Sequence, residues 1–477
     1  MALAKLQKMF GAQDMTQGEP WRNLVRFSVP LLIGNFAQQL YSTVDSIVVG
    51  QYVGDNALAA VGASGPIINL LLVLLMGIST GAGIMVSQYY GAHDRENLSR
   101  TIGNCITLTV ISAVLIMVVG LVTTYPILAA LQTPAAIIAD THTYLIIIYY
   151  GMLGMAFYNI ISGILRGLGD SVSPLIYLLV ACGLNIALDM WFVIGFDWGV
   201  AGVAWATIIA QGISGFLCLV QLCRMRSVVD INLHTLRLHK SISLRIGKLG
   251  LPSGITQAIF SMAMIMVQAL TNSFGEFVIT CTTVVMRVDG FAMMPNFTFG
   301  MAMTTFAGKN VGARRPDRVE LGTREGLKLG LIVSTVCTAL IMVFGRYLFG
   351  LFTNTAEVIS TSMHMMSIIA VGYVAFSVSQ VLSGVMRGAG DTMTPMWISL
   401  FTTVVLRVPT AYGIAYLTRS AAQPTGSPDS LYYSLLISWV MTTLITIVFF
   451  KRGRWRRKAE ETFGPMARDD ARGAAAE

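Results

Sequence analysis

Seven stretches of this chain, 27–44, 57–92, 141–165, 198–223, 249–275, 358–386 and 430–450, contain no Asp, Glu, Lys or Arg. A hydrocarbon layer about 30 Å thick is crossed by about 20 apolar residues of helix, so a row of such runs belongs in a lipid bilayer. There each backbone N–H and C=O must be satisfied within its own segment, which makes helix the fold for runs of this length. Composition agrees: 55% of residues are hydrophobic and only 12% are charged, which excludes a soluble multidomain protein.

Polar and Gly/Pro punctuation divides the 477 residues into twelve predicted helices. These are 24–50, 57–90, 101–121, 138–164, 174–195, 200–222, 247–273, 278–307, 324–346, 361–386, 395–418 and 431–450. Thr123, Thr124, Tyr125 and Pro126 read as the loop that ends the third. Residues 1–21 are mixed polar and have no apolar core before a small-residue cleavage site, unlike a cleaved signal peptide.

Twelve crossings put both ends of the chain on one side. Lys and Arg number 26 in the N-terminal tail, the even-numbered junctions and the C-terminal tail, and two, Arg346 and Arg419, in the opposite connections. By the positive-inside rule both termini are expected in the cytoplasm of a plasma (inner) membrane, in a bacterial type of cell. Setting topology accounts for the basic segments 224–248, 309–324 and 451–458, with a gating or anionic-lipid role as the alternative. Because the net charge of +8 is spread over such loops, a nucleic-acid partner is not expected. The six Cys have no CxxC or metal-ligand spacing and read as small buried hydrophobes, with no resident metal or cofactor expected.

The chain repeats itself. The segment 162–174, SGILRGLGDSVSP, returns as 383–395, SGVMRGAGDTMTP, at an offset of 221. The same offset aligns Gly91 and Ala92 with Gly312 and Ala313, and Gly54 with Gly275, while Pro30 and Pro252 align at 222. The expected fold is therefore an all-α polytopic membrane protein of two pseudo-symmetric six-helix bundles around a central cavity. The expected domains are a tail 1–23, a bundle 24–222, a linker 223–246, a second bundle 247–450 and a tail 451–477. Within the repeated motif Arg166, Asp170, Arg387 and Asp391 read as turn-fastening or gating charges; a phosphate-binding loop would follow a strand and carry a lysine.

Five ionisable residues fall inside predicted helices: Asp45, Asp189, Arg287, Asp289 and Arg407. Such groups are costly in hydrocarbon and mark function by default. Asp45 lies fifteen residues after Pro30 and Asp189 fifteen after Pro174, which sets both carboxyls at one depth. Tyr41 and Asn185 sit one turn below them, Gln38 continues the first stripe, and Thr207 on the sixth helix reaches the same level. In a low dielectric two neighbouring carboxyls cannot both stay charged cheaply, so the pair suits uptake and release of a proton. The surrounding oxygens equally suit Na⁺, and a purely structural pair of aspartates is the bland alternative. Arg287, Asp289 and Arg407 are expected to form a charge cluster in the second half, either keeping helices in register or gating. Methionines such as Met262 and Met266 suit a cavity for apolar cations and are equally explained by helix packing. His142 and His364 read as interfacial.

The 6+6 pattern, Gln38-Gln-Leu-Tyr-Ser-Thr-Val-Asp45-Ser with Gly50, Ala57-Leu-Ala-Ala-Val-Gly62, the duplicated Arg-Gly-x-Gly-Asp turn and Asn185-Ile-Ala-Leu-Asp189 resemble the multidrug and toxic compound extrusion (MATE) transporters over nearly the whole chain. The resemblance implies export of organic cations and other amphipathic toxic compounds, driven by inward H⁺ or Na⁺ through alternating access, without catalysis. It matches Tyr41, Asp45, Asn185, Asp189 and Thr207 to the first-half site of the branch named after DNA-damage-inducible protein F. The branch named after the norfloxacin exporter relies on acidic residues in helices 7 and 10; here those stretches, Gln257 to Phe260 and Phe376 to Gln380, hold no carboxylate. That departure argues against a second-half Na⁺ site and leaves Gln257, Phe260, Phe376 and Gln380 as candidate cavity wall. Small-molecule substrates, membrane lipid and a functional monomer are the implied partners and state. Two other readings stay open: a flippase for lipid-linked saccharides, which needs a basic intramembrane cluster such as Arg287 with Arg407, and an intramembrane enzyme or channel, for which no nucleophile or metal motif is visible.

Overall fold

The computed structural model describes residues 12–130, 133–232, 234–420 and 423–464, and within them the chain is helical with no β-strand. The helices are α1 (Pro20–Val48), α2 (Asp55–Gly91), α3 (Arg95–Ala130), α4 (Ala135–Tyr150), α5 (Met152–Gly167), α6 (Val172–Met190) and α7 (Gly199–Arg224) in the first half. The second half has α8 (Lys240–Ser273), α9 (Glu276–Gly312), α10 (Pro316–Gly350), α11 (Ala356–Gly388), α12 (Met393–Leu400), α13 (Arg407–Leu417), α14 (Ser430–Lys451) and α15 (Arg454–Phe463). Three π turns, Val49–Val53, Trp191–Gly195 and Phe401–Leu406, continue α1 and α6 and join α12 to α13.

Ten described helices are long and apolar enough to cross a membrane, counting α6 and α12–α13 with their π turns, and α4 with α5 make an eleventh span bent by 55°. α1, which carries Asn35, Gln38, Gln39 and Asp45, completes twelve, six in each repeat. Among the described residues two compact units form, one of residues 12–14 with those of 29–254, the other of residues 15–28 with those of 255–464. Each has its own apolar core, one centred on Ile84, Ala156 and Ile160, the other on Met366, Ile369 and Tyr373.

Two sequence expectations need correction. The expected loop at Thr123–Pro126 is helical, because the Thr123 and Thr124 hydroxyls turn inward and donate to the Val119 and Gly120 carbonyls one turn back (2.7 and 2.5 Å). Pro126 then costs only one backbone bond near the helix end, and lipid tolerates such a proline. The expected single helix 138–164 breaks at Gly151, where a Cβ would lie 2.2 Å from the Ile208 side chain, so α4 and α5 bend around α7.

The repeat extends to backbone detail. Positive φ recurs at matched positions: Gly54 and Gly275 (114° and 90°), His93 and Arg314 (55° each), and Gly169 and Gly390 (90° and 96°). Helix contacts repeat as well. A Cβ on Gly167 would meet the Gly83 carbonyl at 2.7 Å, and one on Gly388 the Thr304 carbonyl at 2.4 Å, so both pairs of helices pack backbone to backbone.

In the first unit the segment before α8 is stitched to α3. The Asn104 amide donates to Arg237 O (3.0 Å) and its carbonyl accepts from His239 N (2.8 Å), while Thr107 donates to Leu236 O (2.7 Å). In the second unit the Arg318 guanidinium donates to Met15 O and Gln17 O (3.2 Å each), and Asn310 also donates to Met15 O.

Candidate functional site

The first unit brings together the residues that counting by depth selects. α1 carries Tyr41 and Asp45, α6 carries Asn185 and Asp189, and α7 carries Thr207. Asp45 and Asp189 face each other closely enough to interact electrostatically, Tyr41 faces Thr207, and Tyr41 and Tyr144 lie within the field of both carboxyls. Asn185 and Asp189 are fully buried, Thr207 nearly so, and Tyr41, Asp45 and Gln38 half-buried. With both carboxyls ionised, the Asp189 oxygens and one Asp45 oxygen find no donor in the protein, and both polar atoms of the Asn185 amide are unpaired; a single proton lets the two carboxyls bond each other, and Thr207 lies within hydrogen-bonding reach of Tyr41. Buried polar atoms are normally paired, so the unpaired polar atoms around these two carboxyls mark the pair as the candidate site.

The local backbone helps to place these groups. A π turn follows Asp45 after three residues and another follows Asp189 after one, and the two turns touch each other. Such turns add one residue to a helix and accumulate at functional sites. Tyr144, on α4, belongs to this site but was not among the expected residues, because it lies in an apolar run with several other tyrosines and carries no repeat partner or charge to single it out.

The second unit holds a cavity of about 360 Å³ between α8, α9, α11, α14 and the end of the Phe401–Leu406 π turn. Gln257, Phe260 and Phe376 line it, together with Asp289 and Arg407. Met262 and Met266 are exposed and do not line it, and Gln380 lies against Gly300 beside Arg387. Asp289 accepts a 2.6 Å hydrogen bond from the Tyr373 hydroxyl. Arg407 interacts with Asp289 electrostatically, yet its buried Nε has no hydrogen-bond partner. Arg287 is exposed, two residues and about 200° around α9 from Asp289, so the three-residue charge cluster reduces to a pair. The basic cluster needed for a lipid-linked saccharide flippase loses one of its two members in the same way.

The repeated Arg-Gly-x-Gly-Asp segment is a helix stop followed by a helix start. Asp170 N donates to Leu165 O (2.8 Å) and Gly169 N to Arg166 O (2.9 Å), and the second copy repeats this with Asp391 to Met386 and Gly390 to Arg387 (2.9 Å each). Those are Schellman bonds, which need the left-handed glycine they contain. The Asp170 carboxylate then accepts from Ser173 N (3.0 Å) and the Ser173 hydroxyl (2.6 Å), capping α6, and Asp391 does the same at Thr394 for α12. Arg166 interacts with Tyr158, and Arg387 lies over Gly300.

The MatE family matches residues 30–191 and 252–413. A probable multidrug resistance protein of Bacillus subtilis strain 168, YoeA, is 31% identical across 90% of this chain and 95% of its own length. A second from the same strain, YpnP, is 29% identical across 93% and 98%. Among solved structures, a MATE protein in complex with MaL6 superposes with a TM-score of 0.86 at 24% identity, covering 94% of this chain and 99% of that one. An outward-facing multidrug resistance MATE transporter of the MOP superfamily gives 0.84 at 24% identity, covering 93% and 98%.

Proposed function

The chain belongs to the multidrug and toxic compound extrusion family of membrane transporters, and on that premise we propose that it is a secondary active antiporter. It exports organic cations and other amphipathic toxic compounds in exchange for H⁺ or Na⁺ by alternating access. The observation that carries this reading is the meeting of Asp45 and Asp189 among buried polar atoms left unpaired while both carboxyls are ionised. The multidrug resistance named for its relatives supports the substrate class.

Coupling works by competition for the carboxyl pair. A proton on Asp45 or Asp189 removes the charge that attracts an organic cation, and reciprocity makes the cation expel the proton by the same free energy, of order 1–3 kcal/mol. The membrane potential adds about 2.3 kcal/mol per elementary charge per 100 mV. Tyr41, Asn185, Thr207 and Gln38 would hold the pair and, if Na⁺ is the coupling ion, supply oxygens to it. Arg166, Asp170, Arg387 and Asp391 fix the turns about which each half moves. The protein works as a monomer in the plasma membrane with both termini cytoplasmic.

The test is uptake of a fluorescent organic cation into proteoliposomes under an imposed proton gradient and, separately, a Na⁺ gradient, for wild type, Asp45→Asn and Asp189→Asn. Gradient-driven uptake lost in either folded variant supports the reading. Full activity in both variants would reduce the pair to structure.

A further inference from the structure

The cavity of the second unit is chemically unlike the carboxyl pair of the first. Its walls are mostly apolar: Phe260, Met264, Met293, Phe297 and Trp439 face it, and Phe376 makes edge contact with Phe297 at 5.7 Å. Two opposite charges line it. Asp289 already has its partner in the Tyr373 hydroxyl, 2.6 Å away. Arg407 interacts with Asp289 only at a distance: its Nε is buried and unbonded, and no ion pair within 4.0 Å joins the two among the described residues.

The backbone presents this guanidinium on purpose-built geometry. Arg407 follows directly on the Phe401–Leu406 π turn, and its N–H closes the turn on Thr402 O. The same carbonyl accepts from the Ser438 hydroxyl of α14 (2.8 Å), and Thr442 donates to the Thr402 hydroxyl (2.8 Å). The turn is thereby tied to the neighbouring helix, and the side chain that follows it enters the cavity wall.

A guanidinium nitrogen buried without an acceptor is expensive, and a carboxylate or sulfonate is the group whose geometry matches the paired N–H donors of the side chain. The volume of about 360 Å³ lies at the small end of ligand pockets, enough for one or two fused rings or a medium acyl chain. The geometry points to a second ligand site in this protein, in which Arg407 binds the anionic group of a small amphipathic acid and the Phe/Met/Trp walls take its apolar body. This goes beyond the proposed cation export: the second unit selects acids, and the binding needs no gradient.

The probe is 2-naphthoate, with 2-naphthyltrimethylammonium as the cation of the same body, each titrated at equilibrium against the full chain in lipid nanodiscs and read by tryptophan fluorescence. Wild type is expected to bind the carboxylate, and Arg407→Gln to weaken carboxylate binding roughly ten- to a hundredfold while leaving ammonium binding, which the first-unit carboxyl pair accounts for, near its wild-type value. Asp289→Asn, which keeps Arg407 and removes the like charge, is expected to hold or strengthen it. Unchanged carboxylate affinity in Arg407→Gln, or an equal loss of carboxylate and ammonium binding in that variant, overturns the assignment. Should Arg407→Gln fail to fold, loss of carboxylate binding in Asp289→Asn overturns it as well. Competition by dodecanoate separates the source: displacement of naphthoate assigns the site to membrane-derived acids, and its failure to displace to water-soluble ones, with Arg407 the anion contact in both.

Discussion

Asp170 and Asp391, 221 residues apart, hold the same post: each accepts a backbone N–H and a hydroxyl from the residue three places on, Ser173 in one half and Thr394 in the other. Both are buried, and both begin a membrane helix. Asp170→Ala and Asp391→Ala should each lower stability by about 0.5–2 kcal/mol, with Asn in place of Asp recovering part of it. Thermal unfolding of the purified variants measures this, and the two losses should be similar.

Close backbone packing makes a second contrast. Gly388→Ala brings a Cβ to 2.4 Å from Thr304 O and 2.9 Å from Ala307, in a contact made by backbone that has nowhere to move. A loss of about 1–3 kcal/mol is expected. Gly413→Ala meets nothing within 4 Å and sits in α13, so it should be neutral or stabilising by about 0.5–1 kcal/mol. The difference in unfolding midpoint between the two variants checks both.

Tyr373→Phe removes the donor to Asp289 and leaves its carboxyl with only the more distant charge of Arg407, at a cost of about 1–3 kcal/mol. With Asp289→Asn already made, the same substitution should cost less, because the charge that required the bond is gone. A double-mutant cycle on unfolding gives the coupling, and additivity would mean that the two residues act independently.

The strap before α8 separates exposed from buried attachment. Arg95 and Asp230 form a 2.8 Å ion pair in which both side chains are about half exposed, and Asp230→Asn is expected to cost under about 1 kcal/mol. Asn104 is fully buried and bonds Arg100, Arg237, His239 and Ser243. Asn104→Leu should release residues 225–239, seen as faster limited proteolysis there, while Asp230→Asn leaves the cleavage rate near that of wild type.

The parts legible in the sequence were those set by local periodicity and depth. Charge-free runs mark spans, the thirteen-residue repeat marks two halves, and two counts of fifteen from proline bring Asp45 and Asp189 to one level. What sequence left hidden depends on rotation about a helix axis or on partners far along the chain. Arg287 and Asp289 are neighbours in sequence but lie on different faces, and Tyr373 reaches Asp289 across 84 residues. Asn104 reads as one polar residue in an apolar helix until the strap it fastens is seen. Pro126 is a loop signal in water that loses force in a membrane helix, where one missing backbone bond near the end is tolerated.

The π turn Val49–Val53 also explains an irregularity in the duplication. From Pro30 to Gly54 is one residue more than from Pro252 to Gly275, and the second-half counterpart, α8, is plain α-helix from Lys240 to Ser273. The surplus residue in the first copy is accommodated as that π turn, so a single-codon insertion or loss between two ancestral copies left both ends of the span where they were. In an unbroken α-helix one extra residue would turn the side chains beyond it by about 100°, and the wider π turn takes up that rotation locally. Asp45 lies before the turn, in register with Val267 of the second copy, so the carboxyl differs from its counterpart by substitution alone while the extra residue leaves every helix boundary in place.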